Sequence, residues 1–211
     1  MSNISYSFVR TIVPKEQYKE REEKDEMTIV HLGAVWNEQM QAYECTECSV
    51  STSEYDEDKV KASYEEYEIR RKASELRYAI GQKLSEIAAY DTSSAVNGFS
   101  LNGNIVWLDK ATRVGLMNST TIAKAAGEET TTLWLGEEKI VVGCDMAIQL
   151  LSRLEMYALE CFNVTARHRK EVQELTDIES VEAYDVTEGY PERLMFNING
   201  GVGNGDARGE E

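Results

Sequence analysis

The chain has 211 residues, 42% of them apolar, and a formal net charge of −16 from 38 acidic and 22 basic side chains. That length suits one compact domain with an extension, or two small domains. So acidic a surface gains no phosphate contacts, which argues against nucleic-acid and anionic-lipid ligands and for a soluble protein or one that docks on a basic partner; mimicry of DNA is a second reading of the same charge.

The N-terminus opens with an apolar-leaning stretch, Ile4 to Val13, which Pro14 breaks. The charged run from Lys15 to Glu26 follows and reads as a solvated helix or flexible arm, because nothing in it buries enough surface to order it alone. Residues 1–26 are therefore assigned as an N-terminal arm. Residues 27–56 form a β-hairpin module: MTIVHLGAVW and QAYECTECSV are rich in β-branched and aromatic residues, with Asn37-Glu38 at the turn. The Ile4–Val13 stretch is available to pair with this hairpin as a small sheet.

Residues 57–90 read as a long connector helix, because Ala62, Ile69, Ala73, Leu76, Ile80, Leu84 and Ile87 recur at helical steps. Thirty helical residues run about 45 Å, long enough for part to act as a strut. Tyr64, Tyr67 and Tyr78 fall on a neighbouring row. The helix is expected to end near Asp91-Thr92-Ser93-Ser94.

Residues 91–196 hold a hairpin–Asp–helix pattern twice. In the first copy Asn102-Gly103 is a two-residue hairpin signal inside FSLNGNIVWL. Asp109 caps a helix from about Lys110 to Ala126, and Gly127 suits its stop. The second copy turns at Gly136 within TTTLWLGEEKIVV, and Asp145 is placed to cap the next helix. Trp107 and Trp134, one in each copy, are expected in the core, which leaves Trp36 as the tryptophan for an exposed contact. In the last long helix, 145–175, Leu151, Leu154, Ala158, Cys161, Thr165, His168, Val172 and Leu175 make a near-heptad seam, with Leu150, Tyr157 and Val164 beside it. Thr176 to Glu179 reads as a capping box for a short helix over Ile178–Tyr184. Leu194-Met195-Phe196 is a last docked strand, and residues 197–211 are a disordered tail. The fold class is α+β: small antiparallel hairpins packed on two long helices and shorter ones.

Sites of chemistry are hard to assemble from these residues. Cys45-Thr46-Glu47-Cys48 has metal-like spacing, but His31, Cys144, Cys161 and His168 supply no second pair, and the two thiols point to opposite faces of a strand. A thioredoxin-like reading fails because that motif opens a helix. The other two cysteines complete a set that reads as reduced thiols, not a disulfide framework. His168 lies on an apolar seam and His31 in a strand, so these two histidines build no triad or dyad. The run Gly200 to Gly205 has no following lysine and no strand–loop–helix around it, so it is not a phosphate loop. No catalytic, cofactor-binding or metal-binding residue is assigned; Trp36, Tyr64, Tyr67 and Tyr78 are the candidate protein-contact residues. No apolar run reaches the ~20 residues of a membrane span, and Met1 to Tyr6 lacks the order of a signal peptide.

The stretch AAYDTSSAVNGFSLNGNIVWLDKATRVGLMNS, continued by TTTLWLGEEKIVV, AIQLLSRLEMYALECFNVTARHRKEV and IESVEAYDVTEGYPERL, resembles a domain of unknown function found in phages of Bacteroides type. Tyr90-Asp91, Asn97, Phe99, Trp107-Leu108-Asp109, Trp134, Leu151, Leu154, Tyr157-Ala158 and Gly189-Tyr190-Pro191 carry the resemblance over about residues 55–196. That family occurs at or near tail-fibre and tail-fibre-assembly proteins. The resemblance implies a structural or adaptor role in a tail or virion, made in the bacterial cytoplasm, with other phage proteins or a second copy as partners; charge and hydropathy argue against nucleic acid and membrane, and no cofactor is expected. A tail-fibre assembly chaperone and an acidic decoy of host defence are the alternatives.

Overall fold

The computed structural model describes residues 5–198, and the protein is α+β. It divides into two compact units, the first ending at Arg77 and the second beginning at Tyr78, with the division inside one long helix.

The first unit is a four-stranded antiparallel sheet followed by the start of that helix. Its strands are β1 (Phe8–Pro14), β2 (Arg21–Lys24), β3 (Met27–Asn37) and β4 (Ala42–Ser51), in the order β1-β4-β3-β2. The charged run is thus neither a helix nor a free arm. Arg21 to Lys24 pairs with Met27 to Val30 as an edge strand, so the sheet runs across the expected boundary at residue 26. An edge strand needs no apolar face, and charged side chains there discourage pairing with other chains. The expected pairing of the early apolar stretch is present over Phe8–Pro14, on β4. Between Leu32 and Val35 the register shifts by one residue. Gly33 sits at this bulge with φ +61°, and a Cβ there would overlap the Tyr64 hydroxyl, so both backbone angle and space call for glycine.

Helix α1 (Glu57–Asp91) contains residues of both units. In the first, Val60 is buried, and Tyr64 and Tyr67 pack on Phe8 at centroid distances of 5.8 and 5.2 Å. In the second, Ile80, Leu84 and Ile87 pack with Val172, Val186 and Tyr184. The expected single stripe holds only over this later part: Ala62 and Ala73 are exposed, and Ile69 is 69% exposed. The earlier part turns a different set inward, built from aromatic rings that the aliphatic spacing did not weigh.

The second unit continues with α2 (Ser94–Asn97), the hairpin β5 (Phe99–Leu101) and β6 (Asn104–Val106), and α3 (Lys110–Ala125). The hairpin β7 (Thr130–Leu135) and β8 (Glu138–Gly143), α4 (Cys144–Glu174), α5 (Ile178–Ala183) and β9 (Met195–Phe196) complete it. Asn102 and Gly103 both have positive φ, 50° and 88°, as a two-residue turn with right-twisted strands demands. Asp109 caps α3 through Thr112 N at 2.8 Å. Asp145 does not cap α4: the helix begins one residue earlier, Gly143 is its N-cap, and Asp145 pairs with Lys124 instead. The cap of α5 is Asp177, which accepts from Ser180 N at 2.7 Å, and not Thr176. Strand β9 adds in parallel to β5. One core gathers Phe99, Leu101, Leu133, Leu135, Leu151 and Leu154 with their neighbours, so both hairpins lay one face on the first half of α4. Of the expected tail, Ile198 is docked, its N–H donating to Asn102 Oδ1 at 2.7 Å, and residues 199–211 lie outside the described residues.

Candidate functional site

The most polar interior of the second unit lies along the later half of α4, where Cys161, Thr165 and His168 follow Tyr157 at helical steps and are buried. Each polar group there meets a protein partner. The Thr165 hydroxyl donates to Asp91 Oδ1 at 2.7 Å and lies 2.8 Å from the Tyr190 hydroxyl. His168 Nε2 is 2.9 Å from the Glu188 carbonyl oxygen, which only accepts, so this nitrogen carries hydrogen. His168 Nδ1 is 2.7 Å from the Tyr184 hydroxyl, and that hydroxyl donates to Glu171 Oε2 at 2.5 Å. Burial, followed by the Glu171 hydrogen bond, pushes the Tyr184 phenol well above its ordinary pKa. The rings of Tyr184 and Tyr190 flank the imidazole at 5.5 and 5.6 Å.

With both ring nitrogens engaged, His168 has no lone pair aimed at a substrate. The network joins α4 to residues 184–190 and to the end of α1, and a satisfied buried network of this kind fixes one packing arrangement. A cavity beside it, lined by Val96, Phe99, Leu108, Arg113, Leu154 and Tyr157, offers about 10 Å³, room for about one water. General acid–base catalysis needs a group within reach of a bound reactant, and this space admits none of useful size.

Cys45 and Cys48 are buried three positions apart in β4, opposite Thr11 and Val30, and so face opposite sides of the sheet. Burial raises both thiols above their ordinary pKa, the reverse of what a nucleophile or metal ligand needs. Among the described residues no three His, Cys, Asp or Glu side chains gather as a metal site. His31 stands beside Glu47 at 3.6 Å with its Nδ1 at 2.5 Å from the Lys19 carbonyl oxygen. The Gly200 to Gly205 run lies outside the described residues.

The candidate contact residues are dispersed. Trp36 is half-buried, edge-on to Tyr43 at 5.1 Å with the Lys15 ammonium over its ring, and is not a free surface. Tyr64 and Tyr67 are half-buried against Phe8. Tyr78 is exposed. The expectation that Trp107 and Trp134 are core residues is overturned, since each is 57% exposed. The strand alternation carried the signal: Leu133 and Leu135 point inward, so Trp134 between them points out. Ile105, Val141, Met156, Leu159, Phe162 and Met195 add further exposed apolar side chains, on the outer sides of the hairpins and of α4. The chain matches no family model, no curated protein and no solved structure.

Proposed function

We propose that this protein is a non-enzymatic structural or adaptor component of a phage tail or virion, made in the bacterial cytoplasm and acting through protein–protein contacts. The observation that supports a contact role is the outward placement of Trp107, Trp134 and Phe162 on a unit whose own core is filled by other residues. The phage setting rests on the resemblance carried by residues 55–196. In this reading the partners are other tail or virion proteins. Nucleic acid and membrane are not among them: the charge of −16 disfavours phosphates, and no described helix is long and apolar enough to cross a membrane.

Mass spectrometry of purified virions tests the proposal. Stable copies in the particle support it. Absence from particles, together with co-purification with fibre protein from infected cells, replaces it with an assembly chaperone. Capture of a host nuclease or repressor by the purified chain, again with no copies in particles, replaces it with an acidic decoy.

A further inference from the structure

Helix α4 carries two seams. The inner one fills the unit's interior, as described above. The outer one is Ser152, Met156, Leu159, Asn163 and Ala166, at steps of four, three, four and three, the spacing of paired coiled-coil helices. Met156 is 59% exposed and Leu159 51%, with Phe162 beside them at 66%. Exposed residues of this size and spacing are unusual on a helix whose opposite side already forms a core.

The local charge points to the occupant. Between Gln149 and Glu174 the helix carries Arg153, Arg167, Arg169 and Lys170 against Glu155, Glu160, Glu171 and Glu174, and is close to neutral. Glu155 is already paired with Arg113 Nε at 2.8 Å. The remainder of the chain is strongly acidic, so a second copy meets less repulsion along this face than over the chain as a whole.

We propose that the outer face of α4 pairs with the same face of a second copy, antiparallel, about a two-fold axis between Tyr157 and Ala158. With that axis Met156 of each copy meets Leu159 of the other, Ser152 meets Asn163, and Arg153 meets Glu160 on the flank twice over. The parallel alternative loses this match, because it sets Lys170 against Lys170 and gives Arg153 no acid at the flanking position. The polar pair of Ser152 with Asn163 at each end favours this register, because a one-heptad slip would set a polar residue against Met156 or Leu159. The inference does not depend on the phage setting.

Analytical ultracentrifugation of the full chain reads the outcome. Twice the 23.8 kDa chain mass is expected at high concentration, falling to one chain on dilution. Leu159→Lys, at an exposed site, gives one chain throughout with an unchanged circular dichroism spectrum. Glu160→Arg weakens the dimer at least tenfold, and Arg153→Glu/Glu160→Arg restores it. Orientation is read by disulfide formation: Ser152→Cys/Asn163→Cys cross-links, whereas Ser152→Cys alone does not, its two copies lying ~16 Å apart along the axis. A single-chain mass up to about 1 mM, where only negligible affinity remains, overturns the proposal. So does a dimer indifferent to Leu159→Lys, or cross-linking by Ser152→Cys alone.

Discussion

Helices α3 and α4 each follow a hairpin with a two-residue turn, yet α3 fully buries only Thr120 whereas α4 buries ten residues from Cys144 to Val172. The second hairpin sets Leu133, Leu135, Ile140 and Val142 against the start of α4, and the first adds Phe99, Leu101 and Val106 to the same core. Helix α3 touches that core through the half-buried Leu116 and Met117. The shared local pattern therefore specifies a hairpin feeding a helix, while the number of elements that surround the helix decides how much it buries. The two copies are alike in chain order and unequal in energy.

The inequality is largest for core truncation. Leu151 is fully buried, so Leu151→Ala is expected to cost about 2–5 kcal/mol through lost transfer energy and a residual cavity. Ile122 on α3 is 68% exposed, and Ile122→Ala should stay within about 0.5 kcal/mol. Urea denaturation of the two variants measures both; equal costs would erase the distinction between the copies.

Alkaline pH separates the copies next. Burial, then the neighbouring Cys161 thiol, pushes Tyr157 on α4 up to about 12 from an ordinary value of 10.0, and α3 has no tyrosine. The folded chain holds this proton after the unfolded chain has released it. The associated stability is complete below pH 10 and is lost as pH rises from about 10 to about 12. Burial raises the Cys161 thiol as well, which begins the same loss at lower pH. The urea midpoint should fall across this window, and Tyr157→Phe should flatten part of the fall. A slope unaltered by that substitution would show that Tyr157 ionises alike in both states.

The helix starts differ more modestly. Asp109 accepts from Thr112 N and from Thr112 Oγ1, and these two bonds hold its carboxyl below the ordinary carboxylate value. A depressed folded-state pKa means stability present at neutral pH and lost as pH falls through the folded value. Asp145 makes no cap, and its pair with Lys124 is solvent-exposed, a class of contact that contributes little. Asp109→Ala should lower Tm measurably at pH 7 and much less in acid, while Asp145→Ala leaves it nearly unchanged. Equal shifts from the two would mean that α4 has a side-chain cap after all.

What the sequence made legible follows from which elements have one wet and one dry face. The seam from Leu151 to Val172, the Asn102-Gly103 turn, the Asp109 cap and the strand at Met195-Phe196 each carry a local signature, and each is present. Arg21–Lys24 was illegible because an edge strand exposed to water needs no apolar alternation, so its composition read as an arm. Ile69 leaves the aliphatic stripe because the two parts of α1 turn different residues inward. Trp107 and Trp134 depart from tryptophan's usual burial because the inner face belongs to their neighbours, Val106 and Leu108 in one case and Leu133 and Leu135 in the other. The His168 network has no local signature for another reason: its partners Tyr184 and Glu188 lie beyond the end of α4, and only the fold brings them back to it.

The smallest expected effect concerns the one fully buried residue of α3. The Thr120 hydroxyl is buried with no hydrogen-bond partner among the described residues, a desolvation cost that the α4 network avoids by pairing Thr165 with Asp91 and Tyr190. Replacing a hydroxyl by a methyl at nearly constant volume removes that cost, and valine and threonine have similar helix propensities. Thr120→Val should therefore stabilise the chain by up to about 1 kcal/mol. Thr165→Val on α4, which strips partners from Asp91 and Tyr190, should destabilise it. The same chemical change would then have opposite signs on the two helices, as read by the shift in urea midpoint. A loss of stability at both sites would place a partner on the Thr120 hydroxyl, and α3 would be as fully satisfied as α4.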